Sequence, residues 1–349
     1  MALQGVYKLF NEDTDVVRNI KGIVSSGIWS GGSGTLTSFF TQSAQSSSNG
    51  QYYLDVYKTN PQTDSEAEVQ FSVAYAHYHG SGSKGTKGAA TGNRASAGLY
   101  AQLSNLILEP NVDKFTFAGG SSSEESVYAV SFKRARMKEK VDPGNWELHI
   151  SGSSNASGNS KGFVKLIDDS NSTTNAATGI GGRVFNVVSG SISSGTAVVN
   201  TVASSQTGGG YGLFYPDLGL ILLNEPVLTA SSSLGTVKTS NTDGYNHGKL
   251  FTAIKGGIKF QARREERLSS THFFCRAGNK EFNFSNNPTF FTASTGDFTQ
   301  ATFFKDPKTF ITTIGLYNNS NELLAVAKLS KPVLKSYSRE ALIKVKLDF

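Results

Sequence analysis

Short segments in which apolar and polar residues alternate, each closed by a cluster of Gly, Ser or Asn, constrain this chain to a β-rich fold. Tyr52, Leu54 and Val56 alternate in this way, as do Val69, Phe71 and Val73, then Tyr128, Val130 and Phe132, and finally Ile343, Val345 and Leu347. Residues two apart on a strand share a face, so each run reads as a strand with one apolar side. Only 38% of residues are hydrophobic, yet 23 Phe and 13 Tyr supply large surfaces to bury. Mixed with Gly, Ser, Thr and Asn, they favour short strands joined by polar turns. The expected fold class is mainly β: several small antiparallel sandwich- or barrel-like domains with one or two short helices.

One helix is expected after Asn93 as N-cap, with Leu99, Leu103, Leu106 and Ile107 on one face and Pro110 beyond its end. A second is expected from Asn246, carrying Leu250, Phe251 and Ile254 and stopping at Gly256 and Gly257. Phe115 and Phe117 alternate into a Gly/Ser turn before Tyr128, which predicts a hairpin. Leu220 to Leu223 is continuously apolar and predicts a strand buried on both faces. The clearest hairpin is Phe310 to Tyr317, turn residues Asn318 to Asn321, and Glu322 to Leu329.

Composition changes in the middle. Between Ser170 and Pro216 the sole charged residue is Arg183, in a stretch dominated by Ser, Gly, Asn, Thr and Ala. The 349 residues suffice for two or three domains of roughly 100–200 residues each. The expected division is therefore an N-terminal β-rich domain over 1–150, an inserted β-domain over 151–210, and a region over 211–349 that completes the core with 1–150.

The strings that resemble catalytic motifs fail on context. Gly80-Ser-Gly82-Ser-Lys-Gly85 has the letters of a dinucleotide loop, but Thr86-Lys87-Gly88 prolongs a loop where a helix should open, giving a mobile hairpin loop. Gly158-Asn-Ser160-Lys-Gly162 spells a nucleophile elbow inside a Ser/Gly-rich tract, without the strand before it and helix after it that the chemistry needs. No cofactor and no catalysis are expected. Cys275 is the lone cysteine and reads as a small core residue. His77 and His79, as alternate residues of a strand, would share a face and form a metal site only with ligands from other copies. A net charge of +6 with 17% charged residues is too mild to indicate specific nucleic-acid binding. The first residues lack a secretory pattern, and no stretch approaches the ~20 apolar residues of a membrane span, so no membrane insertion is expected.

Lys133 to Lys140 concentrates positive charge just before a turn at Asp142-Pro143-Gly144-Asn145 and then Trp146. Arg and Trp are enriched at interface hot spots, which makes Arg134, Arg136, Lys138 and Trp146 candidate interface residues. The competing reading puts the basic residues on a solvated face and Trp146 in the core. A second cluster, Arg263-Arg-Glu-Glu-Arg267, carries its own acids and reads as solvated or salt-bridged.

The string Val127-Tyr-Ala-Val-Ser-Phe-Lys-Arg-Ala-Arg-Met-Lys-Glu-Lys-Val-Asp-Pro-Gly-Asn-Trp-Glu-Leu148 resembles one in virion structural proteins of contractile-tailed phages, notably those of marine cyanobacteria. Val16 to Ile20, Tyr52 to Val56, Phe214 to Gly219, Glu281 to Thr289, Ile311 to Tyr317 and Leu323 to Lys331 are similar to segments of the same group. The resemblance implies a component of the tail or baseplate region, assembled in the host cytoplasm and located in the virion. Its implied partners are other tail and baseplate proteins and further copies of itself. Tyr317 and Phe349 mark the C-terminal region as a candidate docking element. The alternatives are a receptor-binding or adhesion module presenting 151–210, or a neck or capsid decoration protein.

Overall fold

A computed structural model describes residues 7–42, 52–83, 94–118, 123–152, 162–172, 177–201, 210–240, 244–292 and 294–348. The chain is mainly β, with 45% of it in strands and 16% in helices, and the pairings are antiparallel. It divides into a large unit, Val24–Glu266, and a small unit made of Met1–Ile23 and Arg267–Phe349.

One twelve-stranded sheet organises the large unit. Its strands run in the order β2 (Thr35–Leu36), β14 (Phe260–Gln261), β7 (Glu147–Ser151), β8 (Phe163–Asp168), β10 (Gly182–Ser193), β12 (Gly212–Tyr215), β13 (Leu220–Asn224), β5 (Ser126–Phe132), β4 (Val69–His77) and β3 (Tyr53–Tyr57). Two further strands, β9 (Ala177–Gly179) and β11 (Thr196–Thr201), pair with β10.

Period two explains how the middle of this sheet is buried on both sides. Val73, Val130, Ile221 and Leu223 face one core, while Ala74, Ala129, Leu220 and Leu222 face the other. The first core is closed by α4 (Glu225–Ser231) and α5 (Asn246–Gly257), and the second by α2 (Ala95–Ile107). Trp29 sits in the first, its ring 5.0 Å from Phe260 and 5.8 Å from both Phe71 and Phe132, with its indole N–H donating to the Phe260 carbonyl at 3.0 Å. Gly257 lets α5 approach β7, because a Cβ there would meet the His149 carbonyl oxygen at 2.0 Å.

Both expected helices form, with altered detail. The buried side of α2 is Ser96, Ala97, Tyr100, Leu103 and Ile107, and Leu106 is exposed. Its N-cap is Arg94, and Asn93 lies outside the described residues. Asn246 opens α5, but its side chain accepts from Lys238 N–H and donates to the Lys238 carbonyl, pinning a neighbouring loop in place of capping. The expected hairpin is reduced to one antiparallel bridge, Phe115 to Glu124, while β5 itself pairs with β4 and β13, and Phe115 and Phe117 are buried. Both rings belong to the core cluster that includes Tyr215, Leu220 and the α2 side chains, with Phe115 5.1 Å from Tyr100.

The segment over 151–210 is not a separate domain. Its strands β8 and β10 run inside the large sheet, with Leu148 opposite Leu166, Ile167 opposite Val188 and Phe185 opposite Phe214. Ladder hydrogen bonds come from the backbone, so a Ser/Gly-rich composition does not prevent a strand from joining a large sheet. The core clusters lie wholly within Val24–Glu266, so residues 267–349 do not complete them.

In the small unit, β15 (Arg263–Ala277) and β18 (Ala341–Asp348) pair over Ser270–Ala277 and Ala341–Asp348, with β1 (Val16–Gly27) next to β15. Within the large unit, Arg264 and Glu265 pair with Val141 and Lys140 of β6 (Lys140–Val141). The C-terminal hairpin, β16 (Thr309–Tyr317) with β17 (Leu323–Lys335), forms a two-stranded sheet of its own, as the sequence predicted. Two short helices complete the set, α1 (Glu12–Asp15) and α3 (Arg134–Met137).

Candidate assembly surface

The small unit has scarcely any interior. Of its hydrophobic side chains only Ala277, Phe290, Leu316, Ala341 and Val345 are buried among the described residues. Yet it carries 16 of the 25 large hydrophobic side chains that are exposed among the described residues, from less than a third of the chain. Where such exposed apolar side chains lie side by side, they mark candidate interaction sites.

Two features dominate this surface. The first is the β16–β17 hairpin. Phe310, Tyr317, Leu323, Leu324 and Val326 are exposed, so apolar groups project from both faces. A two-stranded hairpin is marginal by itself in water. This one is held at its root: Thr309 Oγ1 donates to the Phe282 carbonyl at 2.7 Å, and the fully buried Lys335 Nζ donates to Asn279 O, Asn283 Oδ1 and Ser336 O at 2.9–3.0 Å. Burial pushes the Lys335 pKa below the ordinary lysine range, and the three oxygens satisfy its three N–H donors. The tip is ordered by Asn318, whose side chain accepts from Ser320 and Glu322 N–H, and by Asn321, whose φ of 61° is tolerated by an asparagine.

The second feature is an aromatic cluster in the loop before the hairpin. Phe290 is buried at its centre, 5.1–5.7 Å from Phe284, Phe298 and Phe303, while Phe284 and Phe304 face outward. Neither this cluster nor the Lys335 root stood out in the sequence reading. Their signal was present, since seven Phe fall between residues 282 and 304.

The basic candidates lie elsewhere, in the large unit. Arg134 is exposed on α3, but Arg136 pairs with Glu68 at 3.0 Å and Lys138 with Glu266 at 3.2 Å. Trp146 is fully buried, 5.2 Å from Phe214, so it belongs to the core and is not a surface anchor. Glu265 in the second basic cluster forms a buried ion pair with Lys140 at 2.6 Å, joining β15 to β6. Tyr317 is exposed near the hairpin tip, and Phe349 lies outside the described residues.

β4 ends at His77, and His79 sits in the turn beyond it, so the two do not share a strand face. His79 N–H donates to His77 Nδ1, and its own ring reaches Glu125 at 3.5 Å. Among the described residues no three His, Cys, Asp or Glu side chains are arranged to hold a metal. The first part of the glycine-rich loop is packed rather than mobile: a Cβ on Gly82 would meet Asn246 Nδ2 at 2.3 Å, and Ser83 Oγ accepts from Ser96 N–H. Lys84 and Gly85 lie outside the described residues, as does Ser160 of the elbow-like string. No helix among the described residues is long and apolar enough to cross a membrane.

No protein-family model, no curated protein and no solved structure matches this chain.

Proposed function

We propose that this chain is a structural assembly protein of a tailed-phage virion, in the tail or baseplate region, acting through protein–protein interfaces and not through catalysis. The observation that carries the assembly part is the small unit, with a rooted hairpin and aromatic cluster that leave their apolar side chains in water. Burying an exposed aromatic or aliphatic side chain yields roughly 1.5–3 kcal/mol, so such a surface favours association. The phage part rests on the resemblance of segments from Val16 to Lys331 to virion proteins. The alternative adhesion reading over 151–210 has less to stand on, because β8 and β10 belong to the large sheet.

The test is to locate the chain in purified particles by mass spectrometry and imaging, then replace residues 310–334 by a short turn. Tail structures carrying the wild-type chain, and their loss or instability with the shortened one, are expected. Particles that lack the chain altogether, or tails that assemble normally without the hairpin, would overturn the proposal.

A further inference from the structure

The hairpin has two outer edges, and they differ. The β17 edge carries Lys328, Lys331 and Pro332, and β18 carries Lys344, Lys346 and Asp348. Charges and proline are the usual means of preventing strand edges from pairing with other chains. β16, Thr-Phe-Ile-Thr-Thr-Ile-Gly-Leu-Tyr, has neither in nine residues, and no strand pairs with its outer edge among the described residues. Near the tip, Asn318 N–H donates inward to Glu322 O at 3.0 Å. The ladder shifts register at Leu316/Tyr317 and Ile311/Thr313, where the extra residues, Leu324 and Leu329 to Pro332, lie on β17; alternation along β16 itself then directs the backbone groups of Tyr317, Gly315 and Thr313 outward.

From this edge we infer that β16 pairs with β16 of a second copy of this chain, antiparallel about a two-fold axis at Thr313, to give a continuous four-stranded sheet. The inference rests on the assembly reading above and names its partner. Self-pairing suits β16 because it has no charge to oppose its own copy, whereas paired β17 edges would bring Lys328 and Lys331 together. The register is self-complementary: Phe310 faces Leu316, Ile311 faces Gly315, Thr312 faces Ile314, and Thr309 faces Tyr317. At the ends, Lys308 of one copy, which pairs with its own Asp306 at 3.7 Å, lies opposite Asn318 of the other, whose Nδ2 holds the Glu322 carboxylate at 2.7 Å. A two-fold contact of this kind closes on itself and leaves the β17 edges outermost, where they are guarded.

Sedimentation of the full chain tests this with Thr313→Pro, which removes an outward donor, and Thr313→Val, which keeps it. The wild type and Thr313→Val are expected to dimerise, and Thr313→Pro to weaken the dimer at least tenfold with an unchanged unfolding curve. In a Cys275→Ser background, mixing Thr312→Cys with Ile314→Cys should give an oxidised cross-linked dimer, because facing residues of a non-hydrogen-bonded pair approach to ~4.5 Å between Cα atoms. A wild-type chain that stays monomeric at its highest soluble concentration, or a dimer indifferent to Thr313→Pro and without the mixed cross-link, overturns the inference. If that chain nevertheless needs its hairpin to enter particles, the assembly proposal survives and self-pairing alone fails.

Discussion

Glu147→Gln should remove a pH-dependent contribution to the stability of the large unit. The Glu147 carboxylate is buried on β7, where it accepts from the His149 ring, the Ile192 N–H and, at 3.1 Å, Lys259. Burial pushes its pKa up, but those three donors outweigh burial and hold it down, from an ordinary 4.5 to about 2. Each tenfold change in proton affinity is worth ~1.36 kcal/mol, so the gap contributes at most about 3 kcal/mol. Because the folded-state pKa is the lower one, the unfolded chain binds more protons between the two values. The contribution is therefore complete above about pH 4.5 and is lost as the pH falls toward 2. Urea unfolding followed by the fluorescence of the buried Trp29 and Trp146, from pH 7 down to 3, measures it. Other carboxylates titrate in the same window, so the difference between wild type and variant is the quantity to read. A deficit of about 2–3 kcal/mol at neutral pH that narrows below about pH 4.5 is expected. A deficit that does not change with pH, or a variant as stable as the wild type, would refute the reasoning.

The Lys140–Glu265 pair predicts a non-additive result. Either Lys140→Met or Glu265→Leu alone should cost about 3–5 kcal/mol in denaturant unfolding by leaving a buried charge alone, and the double variant should recover most of that. Trp146→Ala should lower stability by about 3–5 kcal/mol with no separate assembly defect once the temperature is adjusted, which a thermal melt beside a particle yield would show. Gly257→Ala should cost about 1–3 kcal/mol, since the added Cβ overlaps the His149 carbonyl and α5 must move away from β7; chemical denaturation of the pair reports it.

Much of the local structure was legible along the chain. Alternation marked β3, β4, β5 and β18, the continuous run marked β13 as buried on both faces, and the Asn-rich turn marked the hairpin. These features follow from the two-residue repeat of a strand and from short-range turn chemistry, which act within a few residues. The boundaries over 150 and 210 misled because composition describes side chains, while β8 and β10 join the sheet through their backbones. Trp146 misled for a related reason. A basic run and a turn beside it suggest display, but Trp146, just before β7, packs its ring against Phe214 of β12, 68 residues further along the sequence.

The candidate surface divides in the same way. By itself, the sequence determined that Phe310 to Tyr317 would be a strand and that it would be free of charge and proline, because both are properties of a few adjacent residues. Only the tertiary structure decided that nothing described would pair with its outer edge, that Lys335 and Thr309 would fix its root, and that five side chains would be the buried apolar interior among the described residues of the small unit. Burial is a property of what the rest of the chain covers, so an apolar strand in a core and one left at an edge can read alike in sequence.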